Sequence, residues 1–204
     1  RKLTDPIKVS PEDRADTPSY LFDLVTAEDG QLVGRPVNQF VQLACFNKER
    51  MEVPPGTLED MEKESESNNF GMALQLKDLF WSAEAFDAGE AMEAALAKRP
   101  PDADRQSKVT QWLHWLESAS YQQNIRFLND QRSLRKALIS GELDWITCWS
   151  SSLRELREQM KDKLALAPLP TGPSTRLKAA TKLQVWSLGR NSSRTQREKA
   201  LVMI

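Results

Sequence analysis

Hydrophobic positions along the chain change repeatedly between the two-residue period of a strand and the longer period of a helix. Val41, Leu43 and Cys45 alternate with polar or small residues such as Gln42, which predicts a half-buried strand within 32–46. The other predicted strands are 72–76, 143–148, a run that begins at Leu164, and 183–188.

Polar capping residues indicate where helices begin between those strands. Two segments have the spacing of a capping box, Thr57-x-x-Asp60 and Ser152-x-x-Glu155. The other residues expected to begin helices are Ser10, Ser107, Asp130 and Ser193. A helix is predicted through 84–98, and Gly141 stands where a helix should end. Because strands and helices alternate, the sequence predicts a layered α/β fold with a largely parallel sheet.

Charge and composition argue against several classes of function. The 204 residues carry a formal net charge of -1, which gives no reason to expect nucleic acid or an anionic membrane as a partner. No apolar run is long enough to span a bilayer. With one histidine, His114, and no paired-Cys spacing, we expect no metal site. No cofactor is expected, since the sequence has neither a P-loop nor a dinucleotide fingerprint.

The two cysteines, Cys45 and Cys148, leave the redox compartment open. Both stand in strand-like runs, where we interpret them as buried structural thiols. A disulfide is the alternative if the two strands are neighbours in an oxidising compartment. Sequence spacing does not decide between the two.

The run Leu164-Ala-Leu-Ala-Pro-Leu-Pro170 combines a short strand with two prolines. Pro168 and Pro170 cannot donate to a sheet ladder, so they end the strand and hold the chain extended. Gly172-Pro173 then marks a loop before the strand at 183–188. This arrangement suits a chain that leaves one lobe and enters another.

Four further segments resemble motifs of one protein family and occur in the family's order. They are Asp29-Gly-Gln-Leu-Val-Gly-Arg-Pro-Val37, Phe46-Asn47-Lys48, Pro54-Pro-Gly-Thr-Leu-Glu-Asp60 and Gly141-Glu-Leu-Asp-Trp-Ile-Thr-Cys-Trp149. Together with the run from Leu164, they are similar to segments of the extracellular solute-binding proteins that serve ABC importers. The resemblance is to the sugar-binding group that includes maltose-binding protein, and it covers almost the whole chain.

The resemblance implies a periplasmic-binding-protein-like lobe, in which helices flank a mostly parallel sheet, and crossover segments to a second lobe. Residues 1–40 are then expected to hold the end of an N-terminal lobe and the first crossover, 41–167 the C-terminal lobe, and 168–204 the second crossover. Segments 29–48 and 164–189 are expected to run as neighbouring strands. Family members are longer, so we expect a fragment that lacks most of the N-terminal lobe.

The resemblance also implies a function. The protein is expected to bind a sugar or oligosaccharide in an interlobe cleft, to close by hinge motion, and to deliver the solute to the membrane subunits of an ABC permease. It is expected to act as a monomer, in the periplasm or as a cell-surface lipoprotein, and not as an enzyme.

Two segments after strands carry the first expected ligand-binding residues. Trp149 follows the strand at 143–148 and corresponds to a family aromatic that stacks on sugar, since an aromatic face suits the apolar face of a pyranose. Asp78, with Phe80 or Trp81, follows the second strand and takes the place of a family cluster that bonds sugar hydroxyls and stacks on a ring.

Arg35, Phe40 and Trp186 complete the expected ligand-binding set. Arg35 could bind an anionic or phosphorylated ligand bidentately, or it could form an ordinary salt bridge. Some family members place a carboxylate near the position of Phe40, and this chain does not. Trp186 could reach the cleft or pack in a core.

Several alternatives remain open at this point. Trp149 could cover a helix N-terminus, and the residues around Asp78 could serve packing. The ligand could be a non-sugar or anionic solute. A carbohydrate-active enzyme would need paired carboxylates, such as Asp144 with Glu142 or Asp78 with Glu84. A diverged relative or scaffold that has lost transport-related binding is the third alternative.

Overall fold

The fold is taken from a computed structural model, which describes residues 7–96, 98, 99, 102–173, 179–189 and 191–203. Its helices are α1 (Pro11–Asp16), α2 (Ser19–Asp23), α3 (Leu58–Glu64), α4 (Leu76–Glu84), α5 (Gly89–Leu96), α6 (Ala103–Tyr121), α7 (Gln131–Ser140), α8 (Leu153–Met160) and α9 (Arg194–Met203). Its strands are β1 (Arg35–Asn47), β2 (Phe70–Ala73), β3 (Ile125–Leu128), β4 (Trp145–Trp149), β5 (Leu164–Ala167) and β6 (Thr181–Trp186).

The strands form a mixed sheet in the order β3-β2-β4-β1-β5, with β6 paired to β1. β2 is parallel to both β3 and β4, while β1 is antiparallel to both β4 and β5. Strands β2, β3, β4 and β5 therefore run in one direction and β1 runs against them. The predicted α/β lobe, with a mostly parallel sheet flanked by helices, is confirmed.

The chain forms two compact units, one of Arg1–Phe40 with Thr181–Ile204 and the other of Val41–Ala180. In the first unit, the Asn38 side-chain amide donates to Gln184 Oε1 at 3.2 Å. The second unit contains the mostly parallel sheet and the helices from α3 to α8. That the first unit belongs to an N-terminal lobe stays a prediction.

The segments 29–48 and 164–189 pair as expected. β1 is in register with β5 from Ala44, opposite Ala167, to Asn47, opposite Leu164. It also pairs with β6. The expectation that 29–48 and 164–189 contain neighbouring strands is therefore confirmed.

Apolar side chains of the second unit pack on both faces of its sheet. On one face, the rings of Phe70 and Trp145 lie 5.7 Å apart, and Trp112 of α6 belongs to the same cluster. On the other face, Leu134 of α7 and Leu156 of α8 pack in a second cluster. Burial on both sides fixes the register of the strands, because a one-residue slip would exchange the two faces.

Local capping signals located several helix ends correctly. Thr57 Oγ1 accepts a hydrogen bond from the Asp60 backbone N–H at 3.0 Å, as the capping box predicts. Asp130 caps α7, and Ser193 forms a reciprocal capping box with Gln196. Gly141 ends α7 in the left-handed conformation, with φ 78°.

Two predicted caps are wrong. α6 begins at Ala103, because Asp102 accepts from the Arg105 backbone N–H at 2.8 Å, so Ser107 lies inside the helix. Ser152 forms no side-chain cap for α8, and its hydroxyl donates to the Trp149 carbonyl oxygen at 2.7 Å instead. This bond fixes the chain directly after β4.

The expected boundaries around β2 also change. The strand ends at Ala73, not at 76. Where one helix was expected through 84–98, α4 ends at Glu84 and α5 begins at Gly89. The break contains Asp87, whose φ is 55°. The Glu84 side chain lies so close to Gly89 that a Cβ there would collide with it. The break between the two helices therefore combines the left-handed conformation of Asp87 with the close approach of the Glu84 side chain to Gly89.

Cys45 and Cys148 form a disulfide, which corrects their interpretation as buried thiols. Cys45 is opposite Ile146 and Cys148 is opposite Leu43, so the cysteines are diagonal neighbours on one face of β1 and β4. Their Cα atoms are 5.9 Å apart, within the range that a disulfide spans. The bond suits an oxidising compartment.

Gly71 of β2 offers a test of the apolar packing around Leu134 and Leu143. A Cβ at Gly71 would collide with the side chains of Leu134 and Leu143, which are both fully buried. Gly71→Ala should therefore lower the free energy of unfolding by about 1–3 kcal/mol through overpacking. Gly56→Ala is the matched control, since a Cβ there meets nothing within 4 Å. Chemical denaturation of both variants gives the comparison, and equal midpoints would contradict the packing described for β2.

Candidate functional site

Three elements of the second unit bring polar or aromatic side chains to the same edge of the sheet. β2 leads into α4, which carries Asp78 in its first turn, and β3 leads into α7, which begins at Gln131. β4 ends at Trp149. Because β2, β3 and β4 are parallel, their carboxyl ends lie at one edge, the usual place for a ligand in an open α/β sheet.

The antiparallel strand β1 adds a fourth side chain. Gln42 is directly opposite Trp149 in the register of β1 and β4. Side chains of directly opposed residues project from the same face of a sheet and lie side by side. Gln42 is only 1% exposed, so it is a buried polar group beside the tryptophan.

The side chains of Gln42, Gln131 and Trp149 all donate hydrogen bonds to Asp78. The Trp149 indole N–H donates to Asp78 Oδ1 at 2.6 Å, and the Gln131 side-chain amide donates to the same oxygen at 3.2 Å. The Gln42 side-chain amide donates to the backbone carbonyl oxygen of Asp78 at 2.8 Å. We refer to Gln42, Asp78, Gln131 and Trp149 as the Asp78 cluster.

Three acceptor atoms of the Asp78 cluster have no hydrogen-bond donor among the described residues. Asp78 is 1% exposed, and its second carboxylate oxygen, Oδ2, has no hydrogen-bond donor among the described residues. In the same part of the chain, no donor reaches the buried Oε1 atoms of Gln42 and Gln131. Buried polar atoms are nearly always hydrogen-bonded in folded proteins. Three such oxygens in one cluster therefore identify it as a candidate binding site.

Neighbouring hydrogen bonds hold the cluster in place. Asp130 Oδ1 accepts from the Ser133 backbone N–H at 2.7 Å and so fixes the first turn of α7, where Gln131 lies. That backbone bond, followed by the Ser133 side chain, holds the pKa of Asp130 below its ordinary value. On the other side, Ser150 Oγ accepts from the Val41 backbone N–H at 3.0 Å and ties β1 to the end of β4.

Apolar side chains are exposed next to Asp78 along the chain. Leu74 and Leu76, which connect β2 to α4, are 53% and 52% exposed. Phe80, in the second turn of α4, is partly buried. Small-molecule sites generally combine apolar lining with a few polar groups, so these side chains, close to Asp78 in sequence, are candidates for such lining.

Of the predicted site residues, Asp78 and Trp149 are brought together by a direct hydrogen bond. Trp81, three residues beyond Asp78, is 3% exposed and belongs to the apolar cluster on one face of the sheet. Its ring lies edge-on to Trp115, with the ring centroids 6.3 Å apart. The structure therefore places Trp81 in core packing.

Three further predicted residues, Arg35, Phe40 and Trp186, belong to the first unit. Arg35 forms an ion pair with Asp13 at 2.9 Å, which is the salt bridge considered as the alternative for this residue. Phe40 is partly buried, and Trp186 of β6 is 46% exposed. Their roles in ligand binding stay predictions.

Sequence reasoning missed Gln42 and Gln131. Gln42 is a polar position in an alternating strand, a pattern that normally indicates a solvent-facing side chain. Gln131 directly follows a helix cap and has no motif of its own. Its place after a cap, at the carboxyl edge of a parallel strand, is the signal that could have identified it.

One of the two carboxylate pairs considered for an enzyme, Asp144 and Glu142, forms ion pairs with arginines. Asp144 stands immediately before β4, at the opposite end of that strand from Trp149, and forms an ion pair with Arg50 at 2.8 Å. Its Oδ2 also accepts from the backbone and side-chain N–H groups of Asn69. Glu142 forms an ion pair with Arg126. These contacts assign Asp144 and Glu142 to stabilising interactions.

The described residues offer neither a metal-binding group of side chains nor a membrane-spanning helix. Within 7–96, 98, 99, 102–173, 179–189 and 191–203, no group of three or more His, Cys, Asp or Glu side chains is arranged to hold a metal ion. None of the helices in this part of the chain is both long enough and apolar enough to cross a membrane.

Comparison with known proteins identifies the family of the chain. A family model described as bacterial extracellular solute-binding protein matches residues 1–202. No curated protein sequence matches the chain. The family match extends over both compact units and includes every residue of the Asp78 cluster. The chain thus belongs to the bacterial extracellular solute-binding protein family.

Proposed function

We propose that the protein binds a sugar or oligosaccharide at the Asp78 cluster and delivers it to the permease of an ABC importer. The observation that carries the proposal is the hydrogen bond between Trp149 and Asp78, beside a buried carboxylate oxygen with no donor among the described residues. The bond places an aromatic ring next to a strong acceptor.

This combination suits a carbohydrate. A pyranose has an apolar C–H face, which packs on an aromatic ring, and hydroxyl groups at its rim, which donate to carboxylate and amide oxygens. Trp149 is partly exposed, which is compatible with a ligand reaching the residue. The exposed side chains of Leu74 and Leu76 add apolar surface nearby along the chain. Phe80 is a further proposed contact.

The proposed partner and location follow from the family. Extracellular solute-binding proteins bind a small solute and pass it to membrane permease subunits, so we propose the same partner here. The disulfide between Cys45 and Cys148 supports a location in the periplasm or at the cell surface, where disulfides persist. We further propose that the protein acts as a monomer.

An anionic ligand is less well supported. Arg35 was the residue expected to bind an anion, and its guanidinium already pairs with Asp13. The Asp78 cluster itself contains a carboxylate, which repels an anion at short range. We therefore place the neutral sugar ahead of the anionic alternative.

Substitution of Trp149 tests this function. Trp149→Ala should weaken the binding of the sugar by about 1–3 kcal/mol, since it removes an anchoring aromatic contact. Trp149→Phe should lose less, because it keeps a ring and loses only the N–H bond to Asp78. Calorimetric titration of the parent against a panel of mono- and oligosaccharides identifies the ligand, and the two variants are then titrated with it.

Trp112→Ala provides the control. Trp112 is 6% exposed and its indole N–H donates to Ser82 at 2.9 Å, so its loss should cost about 3–5 kcal/mol of stability without a direct effect on the ligand. If Trp149→Ala binds the sugar as the parent does but melts far below it, Trp149 is a packing residue and the proposed site is wrong.

A further inference from the structure

We propose that the Asp78 cluster selects for a hydrogen-bond donor on the solute, and that Gln42 and Gln131 are specificity-determining residues that accept from it. This inference rests on the proposed function in that it uses the same site. It goes further by assigning two binding residues and by stating which chemical groups the site admits.

The argument begins with the orientation of the two glutamine amides. Gln42 faces the backbone carbonyl oxygen of Asp78, and Gln131 faces its carboxylate oxygen Oδ1. Both of these atoms are acceptors only. Each amide must therefore turn its nitrogen toward Asp78, because the flipped amide would set oxygen against oxygen. The orientation therefore follows from the chemistry of the two acceptors.

This orientation sends both amide oxygens away from Asp78. Neither Gln42 Oε1 nor Gln131 Oε1 meets a donor in the described part of the chain, and both atoms are buried. Asp78 Oδ2 is also buried and meets no donor among the described residues. The Trp149 indole nitrogen carries a single hydrogen, which is already bonded to Asp78 Oδ1. The cluster therefore has three acceptor atoms to satisfy, while the indole hydrogen and one hydrogen of each amide are bonded to Asp78.

The charge of the buried Asp78 carboxylate also favours a hydrogen-bond donor on the solute. Asp78 is almost fully buried, and no Lys, Arg or His among the described residues forms an ion pair with it. A buried carboxylate needs donors or a positive charge nearby. A solute hydroxyl or ammonium group supplies a donor, whereas a phosphate or carboxylate would face these oxygens acceptor to acceptor.

Hydroxyl and ammonium groups share the donor chemistry, and the experiment separates them. The parent is titrated calorimetrically with a panel of mono- and disaccharides. The tightest sugar is then replaced by its single-position deoxy, O-methyl and phosphate derivatives. 1,4-Diaminobutane provides the ammonium probe. For at least one position, we expect the deoxy, O-methyl and phosphate derivatives to bind the parent about 100-fold more weakly, because buried acceptors are then left unpaired.

Gln131→Met removes one acceptor while keeping the length of the side chain. It should weaken binding of the unmodified sugar about 10-fold and should reduce the discrimination against the O-methyl derivative. Gln75→Met is the matched control at the same edge of the sheet, since Gln75 is exposed and its amide donates to the Asn129 carbonyl oxygen. The control should bind every probe as the parent does.

The outcomes separate this inference from the proposed function. If no sugar binds but 1,4-diaminobutane does, with the same loss in Gln131→Met, the sugar assignment fails and donor selection stands. If sugars bind but Gln131→Met discriminates among the derivatives as the parent does, the function stands and the role of Gln131 is wrong. A phosphate derivative that binds as tightly as the parent sugar overturns donor selection.

Discussion

Replacing both Cys45 and Cys148 by Ala should lower the free energy of unfolding by about 4 kcal/mol. The disulfide joins residues 103 positions apart, and a cross-link over so long a loop strongly restricts the unfolded chain. Both cysteines are fully buried between α7, α8 and the sheet, so the folded state also loses packing. Denaturant unfolding of the double variant and the oxidised parent measures the difference.

Reduction provides an independent control for the same bond. The parent unfolded in the presence of a strong reductant should lose most of the same stability, and the double variant should not respond to the reductant. A double variant that unfolds at the same denaturant concentration as the oxidised parent would contradict the proposed contribution of the disulfide.

Asp78→Asn should weaken solute binding by about 1.5–3 kcal/mol, which is about 10- to 150-fold in Kd. Asparagine keeps an oxygen for the Trp149 and Gln131 donors but replaces Oδ2 with an NH₂ group. A donor would then face the donor of the solute. Stability should not fall, because the change removes a buried charge that forms no ion pair among the described residues.

Asp144→Asn is the matched control for that substitution. Asp144 is also buried, but it pairs with Arg50 and accepts from Asn69, and it lies at the far end of β4 from Trp149. This variant should melt below the parent and bind the solute normally. Calorimetry and thermal melts of both variants separate the two roles. An Asp78→Asn variant that melts low and binds normally would assign Asp78 to structure.

Features that depend on a few neighbouring residues could be predicted from the sequence. The cap at Thr57 needs only an acid three residues later, and the end of α7 needs only Gly141 in a left-handed conformation. The alternation in β1 and the prolines after β5 likewise gave strands in the correct places. These signals were sufficient for the α/β fold class.

Features that depend on the register of distant segments could not be predicted. The pairing of Cys45 with Cys148 requires β1 and β4 to be neighbours with one particular alignment, which no local pattern contains. The end of β2 was misplaced because the apolar run continues through Leu76 into α4, so hydrophobicity alone does not separate strand from helix there.

The candidate site shows the same limit. Asp78 and Trp149 were expected because each directly follows a strand and resembles a family motif. Gln42 was not expected, because a polar residue in an alternating strand normally faces solvent. In the fold, its side chain instead donates to the backbone of α4. Trp81 was expected with Asp78 since the two are close in sequence, but the turn of α4 directs its ring toward Trp115.

A crystal structure of the protein with its tightest-binding solute tests the central claim most directly. We expect a donor atom of the solute within about 3.2 Å of Asp78 Oδ2, with a ring or apolar face of the solute against the Trp149 indole. We also expect the amide oxygens of Gln42 and Gln131 to accept from the same solute. A bound solute that contacts neither Asp78 nor Trp149, while the hydrogen bonds of the cluster stay as they are, would contradict the account.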